Sequence, residues 1–304
     1  MTTLWYLIRR NLKVYFKDRG MFISSMITPI ILLVLYIVFL GKIYRNTFTT
    51  NIPAGFAIED SLVDATVGAQ LFSSLLAVCC ITVAFCANLI MVQDRVTGAI
   101  NDFTVTPVDN AMLILGYYFA TMIAALLICL AATAVSFIYL AIVGWYMTVG
   151  DVFLVLLDVF LLVNFGTALS TLICLPLKTS GQMSAVGTVI SAGYGFVCGA
   201  YMPISEYHVV LRNVVGFLPG TYGTSIIRNH AFRGVLEEMN AVGVPEAVTD
   251  GIRDSIDCNI YFFDHLVPTY VSYLVLTLST LLIIAAVVTM AILMQKEKTS
   301  ARKK

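Results

Sequence analysis

The chain has 304 residues, of which 59% are hydrophobic and 12% charged, with 18 Lys and Arg balanced by 18 Asp and Glu. A soluble domain is about half apolar and a quarter charged, so this composition excludes an ordinary water-soluble fold and places the chain in a bilayer. No nucleic-acid partner is expected.

The first element is a helix over 2–19. Leu4, Trp5, Ile8, Leu12, Tyr15 and Phe16 recur at helical spacing, while Arg10, Lys13 and Lys17 share another stripe. That pattern predicts an amphipathic helix lying in the membrane interface with its cations near anionic lipid headgroups. A basic tail that only fixes topology is the plainer reading, and the two are compatible.

A helix needs roughly 17–25 apolar residues to cross the hydrocarbon. Uncharged runs predict six such spans, at about 21–41, 69–92, 111–143, 152–175, 181–201 and 267–294. The first run exceeds the apolar core of about 7–15 residues in a cleavable signal peptide and ends in Leu40-Gly41-Lys42, so it is read as a retained span. An outer loop with Pro53, Glu59, Asp60 and Asp64 follows it.

Lys and Arg set orientation. With the N-terminus inside, twelve of them lie on the cytoplasmic side and six outside, while the carboxylates divide five inside to twelve outside, Asp158 falling within a span. Both termini are therefore expected in the cytoplasm. Six of the seven cysteines fall in predicted spans and Cys258 in an outer loop, so no disulfide framework is expected.

Between spans two and three lies the polar stretch QDRVTGAINDFTVTPVDN, residues 93–110. Val96, Ala99, Ile100 and Phe103 share one helical face, and Pro107 disfavours helix at Thr106, which predicts a short helix over 93–104. Such a helix, joined rigidly to two spans, could serve as a lever for a soluble partner or be an ordinary loop with one helical turn. Asp109 or Asn110 is placed to cap span three.

Span four carries Asp158, about 7 residues or roughly 10 Å from its outer start. A bare charge costs about 2.5–3.5 kcal/mol at mid-bilayer, so Asp158 belongs either to a polar pathway or, if the span begins later, at the interface. Asn88, Asn164 and Gln182 are further polar groups in spans, each placed for a helix-to-helix hydrogen bond, with Asn164 and Gln182 also candidates for the transport pathway.

After span five, residues 205–265 are expected to form a re-entrant or interfacial segment and an outer loop. Pro203 precedes the segment, and 213–227 is apolar but broken by Gly216, Pro219, Gly220 and Gly223, too short to cross. Pro245 can open a helix with Val248, Ile252 and Ile256 on one face, as a lid over an exit or as packing on nearby loops.

Catalytic chemistry is missing from the sequence. Lys178-Thr179 and Gly187-Thr188 lack the phosphate-cradling Gly-Lys-Ser/Thr pattern. His208, His230 and His265 are widely separated and all expected outside, without zinc-site spacing. The chain is not expected to be an enzyme or to hold a cofactor or metal.

Asp94-Arg95-x-x-Gly98, Asp102-Phe103 and Thr106-Pro107 together resemble the acid-Arg-x-x-Gly and Thr-Pro pattern of the first cytoplasmic loop in type-2 permease subunits of ATP-binding cassette (ABC) exporters. Asp94 stands where that family usually has Glu. The resemblance continues through the interfacial helix, the six spans, Gly199-x-x-x-Pro203 and GFLPGTYGTSIIRNHAFRG, and so covers almost the whole chain.

It implies an all-α integral membrane protein forming a single transmembrane domain over 1–304, with a coupling helix at 93–104 and re-entrant helices before the last span. It implies a permease in the bacterial cytoplasmic membrane, paired with a second permease, identical or not, and with cytoplasmic ATPase subunits that bind ATP and Mg. Its cargo would be an amphipathic compound such as a drug, peptide antibiotic, lipid or lipid-linked glycan. Asp94, Arg95, Gly98, Asp102, Phe103 and Pro107 would couple it to the ATPase. The competing reading is a non-transporting membrane scaffold or sensor with an outer ligand-binding loop; a third, an ion-coupled transporter, would use Asp158.

Overall fold

A computed structural model describes residues 2–51, 59–104, 106 and 108–301. Pro107, one of the expected coupling residues, and Pro53 lie outside the described residues. Helix α1 (Thr2–Lys17) leads, after the N-cap Asp18, into α2 (Arg19–Leu35). A π-type turn at Tyr36–Leu40 joins α2 to α3 (Gly41–Asn51). Then come α4 (Asp60–Val96), the short α5 (Ile100–Thr104), α6 (Asn110–Val143), α7 (Val149–Cys174) and α8 (Ser180–Val197). A 3-10 turn at Ile204–Glu206 precedes α9 (Val209–Val215), α10 (Pro219–Ala241), α11 (Glu246–Ser255) and α12 (Thr269–Ala301). Strands β1 (Ile260–Phe262) and β2 (His265–Val267) pair antiparallel between α11 and α12.

Among the described residues, five helical stretches are long and apolar enough to cross a membrane: Arg19–Asn46, Asp60–Val96, Asn110–Val143, Val149–Cys174 and Thr269–Met294. The protein is an all-α, multi-pass membrane protein. The sixth expected span, 181–201, corresponds to α8, whose 18 residues reach about 27 Å. Four glycines (181, 187, 193, 195) and three serines (180, 184, 191) make it less apolar than the other five.

Helix α4 is the axis of the bundle. It packs against α2, α6, α7, α8 and α10, and 89% of its most apolar stretch is buried. Close approach explains part of this. At Gly166 of α7 an added Cβ would sit 2.8 Å from the Cys80 carbonyl, so glycine lets α7 settle directly on the α4 backbone.

Three boundaries differ from the sequence reading. The expected span at 69–92 extends to Asp60, because Arg45 of α3 reaches across to Asp64 at 2.6 Å and Asp60 at 2.7 Å and holds the first turn of α4 in helix. The span expected from 152 begins at Val149, where Thr148 and Asp151 form a reciprocal capping box. Finally, Gly220 and Gly223 do not break the segment after Leu218: they lie in the first turns of α10, a continuous 23-residue helix packed on α4, α7 and α12. Both glycines face neighbours too close for a side chain, an added Cβ running into the Tyr194 hydroxyl at Gly220 and meeting Leu162 at 2.5 Å at Gly223. They serve packing there, and Pro219 occupies the first helical turn, where its missing N–H costs nothing.

Candidate functional site

The bundle has two ends. One carries α1, α5 and the turn between α7 and α8; the far end carries α9, α10, α11 and the β-hairpin. Five of the six residues expected to couple to a partner lie at the α1 end, and the structure divides them into two groups.

Asp94 and Arg95 point inward. Asp94 is buried at the C-terminal end of α4, where Arg10 of α1 forms an ion pair with it and the Tyr117 hydroxyl of α6 donates to it at 2.6 Å. Arg10 thus leaves the basic stripe it shares in sequence with Lys13 and Lys17. Burial alone would lower the Arg10 pKa, but the hydrogen bond and charge of Asp94 outweigh it and hold the guanidinium above its ordinary range. Arg95 donates to the carbonyls of Cys174 and Leu177, each at 3.1 Å, and of Leu175. A cation at the end of α7 satisfies carbonyls that the helix cannot. These two residues bind α1, α4, α6 and α7 into one body.

Gly98, Asp102 and Phe103 shape and present the short helix. The expected single helix over 93–104 is two pieces: residues 93–96 finish α4, and a turn separates them from α5. Gly98 adopts φ +79° in that turn, a left-handed conformation that glycine enters without a Cβ penalty. Asp102 is exposed, while Phe103 packs back toward the core with the Arg10 guanidinium 5.4 Å from its ring centre. Helix α1 itself buries Leu7, Ile8, Asn11 and Tyr15, packs along α6, and leaves Trp5, Tyr6 and Phe16 exposed.

Asp158, Asn164 and Gln182, expected along a pathway, do not meet in one cavity. Asp158, buried in α7, accepts from the Tyr273 hydroxyl of α12 at 2.5 Å and lies 2.6 Å from Nδ1 of His230 on α10. It lies about 13 Å inside the far end of α7, so the interface reading of Asp158 gives way to a buried, paired one. His230, expected only to lie outside, is its partner. Asn164 accepts a hydrogen bond from the Tyr118 hydroxyl and lines a cavity of about 400 Å³ between α6, α7 and α12. Gln182 is exposed at the α1 end, its Oε1 accepting from the N–H groups of Lys178 (2.8 Å) and Thr179 (3.3 Å) in a capping box that starts α8.

A concavity of about 930 Å³ forms a groove between α2 and α8. Ile27, Ile31 and Leu35 wall one side, and Ser184, Thr188 and Ser191 set hydroxyls along the other.

The far end holds a cation that the charge count placed outside and that the structure buries. Arg228, taken as one of six outside cations, is completely buried in α10. It donates to Asp257 at 3.0 Å, to the Gly199 carbonyl at 2.6 Å and to the Ser74 hydroxyl at 3.3 Å. Asp257 in turn accepts from the N–H groups of Ile204 (2.6 Å) and Ser205 (3.0 Å), so Pro203 leads into a turn anchored by this carboxylate. An arginine after Ser225-Ile226-Ile227 in an otherwise apolar turn was the available signal.

No group of three or more His, Cys, Asp or Glu that could hold a metal occurs among the described residues. No curated protein matches the chain. The family model described as ABC-2 type transporter matches residues 2–232, about three quarters of the sequence. That match spans α1 through most of α10 and favours the permease reading over a non-transporting scaffold. Members of this family are transporter components rather than catalysts, and membership implies partnership with an ABC ATPase subunit. The chain thus belongs to the ABC-2 type transporter family and is the permease component of an ABC transporter.

Proposed function

We propose that the protein is the permease half of an ATP-driven exporter that moves an amphipathic compound out of a bacterial cell. Its N- and C-termini lie in the cytoplasm, and α8 forms a sixth crossing. The observation that carries the reading is the construction of the α1 end. Helix α5 stands exposed at Asp102, and through Arg10–Asp94–Tyr117 and Arg95 its base is fastened to four long helices.

A push on α5 from a partner is therefore passed to α1, α4, α6 and α7 together instead of being absorbed by a loose loop. Asp102 meets the ATPase, Gly98 sets the angle of α5, and Phe103 seats it against Arg10. Asp94 and Arg95 contribute stiffness. ATP and Mg are bound by the partner subunit.

The α2–α8 groove supports a second permease copy and an amphipathic cargo, since its aliphatic wall faces a row of hydroxyls. Two such grooves placed face to face would line a path that accepts an apolar body and a few polar groups. Asp158, Asn164 and Gln182 lie off that groove and act in our reading as helix-to-helix and capping contacts.

The test is cross-linking in membranes that contain the cognate ABC ATPase. Asp102→Cys is expected to cross-link to the ATPase in an ATP-dependent manner, whereas Asp254→Cys at the far end is not. Gly98→Val is expected to leave insertion intact while ATP hydrolysis no longer drives export. Labelling of Asp102→Cys by an impermeant thiol reagent from outside intact cells would overturn the assigned sidedness and the lever with it.

A further inference from the structure

Helix α1 presents two faces. Leu7, Ile8, Asn11 and Tyr15 are buried on one of them, where the helix packs on α6, α2 and α4. The other face is open. Arg9, Lys13 and Lys17 stand on it as an exposed stripe, four residues and so about 6 Å apart, and together with Tyr6 and Val14 they border a concavity of about 680 Å³.

The stripe is a set of cations without anions. None of the three forms an ion pair among the described residues, whereas the fourth cation of the helix, Arg10, is held by Asp94. Asp18, the one carboxylate at the concavity, is engaged at the start of α2, where its Oδ1 accepts from the N–H groups of Gly20 (2.9 Å) and Met21 (3.1 Å). Three like charges along about 12 Å of helix repel one another, and an anion placed among them turns that repulsion into attraction.

What surrounds the cations selects the anion. Trp5, Tyr6 and Phe16 are exposed as well, and at about 100° per residue Trp5 and Phe16 fall within about 40° of Arg9 on the helix surface. Trp and Tyr rings sit favourably at the headgroup level of a bilayer, and a helix that joins such rings to a basic face lies at the boundary between headgroups and acyl chains. An acidic protein surface would match the three charges alone. A lipid matches the charges with its phosphate and the rings with its glycerol and upper acyl chains.

We propose that the Arg9–Lys13–Lys17 stripe is a binding site for anionic phospholipid, the phosphate held among the three cations and the upper acyl chains laid against Trp5 and Phe16. The site requires only a membrane, so its failure would leave the exporter reading standing, and the reverse.

The chain has two tryptophans, Trp5 and Trp145, so Trp145→Phe leaves Trp5 as a reporter beside the stripe. The experiment places this full-length reporter protein in nanodiscs of equal parts phosphatidylglycerol and phosphatidylcholine, with one lipid or the other carrying bromine, a short-range quencher, near the headgroup end of an acyl chain. Quenching of Trp5 by each lipid gives the local composition. Phosphatidylglycerol is expected to be enriched at Trp5 at least about threefold over the bulk ratio. Neutralising the stripe with Arg9→Gln/Lys13→Gln/Lys17→Gln should restore the bulk ratio while the thermal unfolding temperature stays near that of the reporter protein, since all three side chains are exposed. Arg302→Gln/Lys303→Gln/Lys304→Gln, which removes the same charge at the other end of the chain, should keep the enrichment, and so should an excess of glycerol 3-phosphate. A bulk ratio around Trp5 in the reporter protein, enrichment that survives neutralisation of the stripe, or equal loss in the C-terminal variant would each overturn the site. Displacement by glycerol 3-phosphate would make it a site for soluble phosphate, and a bulk ratio combined with capture of the ABC ATPase that depends on the three cations would assign the stripe to an acidic protein surface; either result overturns the lipid site.

Discussion

Helix α4 and the stretch Arg19–Asn46 that α2 begins are almost equally apolar, yet 89% of the most apolar part of α4 is buried against only 18% of that of Arg19–Asn46. The difference lies in side-chain size and polarity. Helix α4 carries small and hydroxylated residues through its middle, Ser73, Ser74, Ala77, Thr82 and Ala84 among them, all buried. Helix α2 projects Ile23, Ile27, Ile30, Ile31 and Val34 outward. Lipid is as apolar as the interior of the bundle, so helices associate where small residues permit close approach and polar groups find partners. Helix α4 is built to be surrounded. Helix α2, with the glycine- and serine-rich α8 beside it, leaves a face for something else.

The sharpest way to break this contrast is to attack the polar ties of α4. Arg228→Met removes the cation that links Ser74, Gly199 and Asp257 and leaves a buried carboxylate without its charge partner. Removing one partner of a buried pair costs about 3–5 kcal/mol, so thermal unfolding in detergent should show a large loss of stability. The double variant Arg228→Met/Asp257→Leu should recover part of it. Gly166→Val comes next: with the Cys80 carbonyl 2.8 Å and the Ile81 side chain also 2.8 Å from an added Cβ, α7 must move off α4, at about 1–3 kcal/mol. A smaller effect is expected for Asn88→Val. Its amide donates to Ser170 at 3.1 Å and Thr171 at 3.0 Å and accepts from Thr121 at 3.3 Å, and hydrogen bonds between helices in membranes are worth about 1 kcal/mol.

How much of this was legible follows the same division. Uncharged length revealed the long apolar helices, and helical periodicity with the Pro107 rule foretold both α1 and an end to the short helix before Thr106. What stayed hidden was which polar residues meet. Asp158 and His230 are 72 positions apart, and Arg10 and Asp94 are 84 apart; no local pattern announces such pairs. The sequence reading put Arg228 and His230 on the outer side and named no partner for either. In a membrane bundle a charge can instead be placed inside by its partner. Gln182 was misjudged in the opposite direction, since an amide in the first turn of a helix caps that turn instead of lining the span. The spacing Thr179-x-x-Gln182 carried that signal.

The smallest change sharpens the comparison most. Gly187 sits in α8 on the groove with α2, and an added Cβ there would meet nothing within 4 Å. Alanine is favoured over glycine in a helix by up to about 1 kcal/mol, so Gly187→Ala should leave the isolated subunit as stable as wild type or slightly more so. If a second permease closes over this groove, the methyl group instead enters a helix contact that glycine keeps close. The population of permease pairs, measured by single-molecule photobleaching in nanodiscs, should then fall even as the unfolding temperature holds or rises. Stability and association moving in opposite directions would mark α8 as an interface between subunits. An unchanged population would mean that this face of α8 meets lipid, and the exposed aliphatic row of α2 would then need no protein partner.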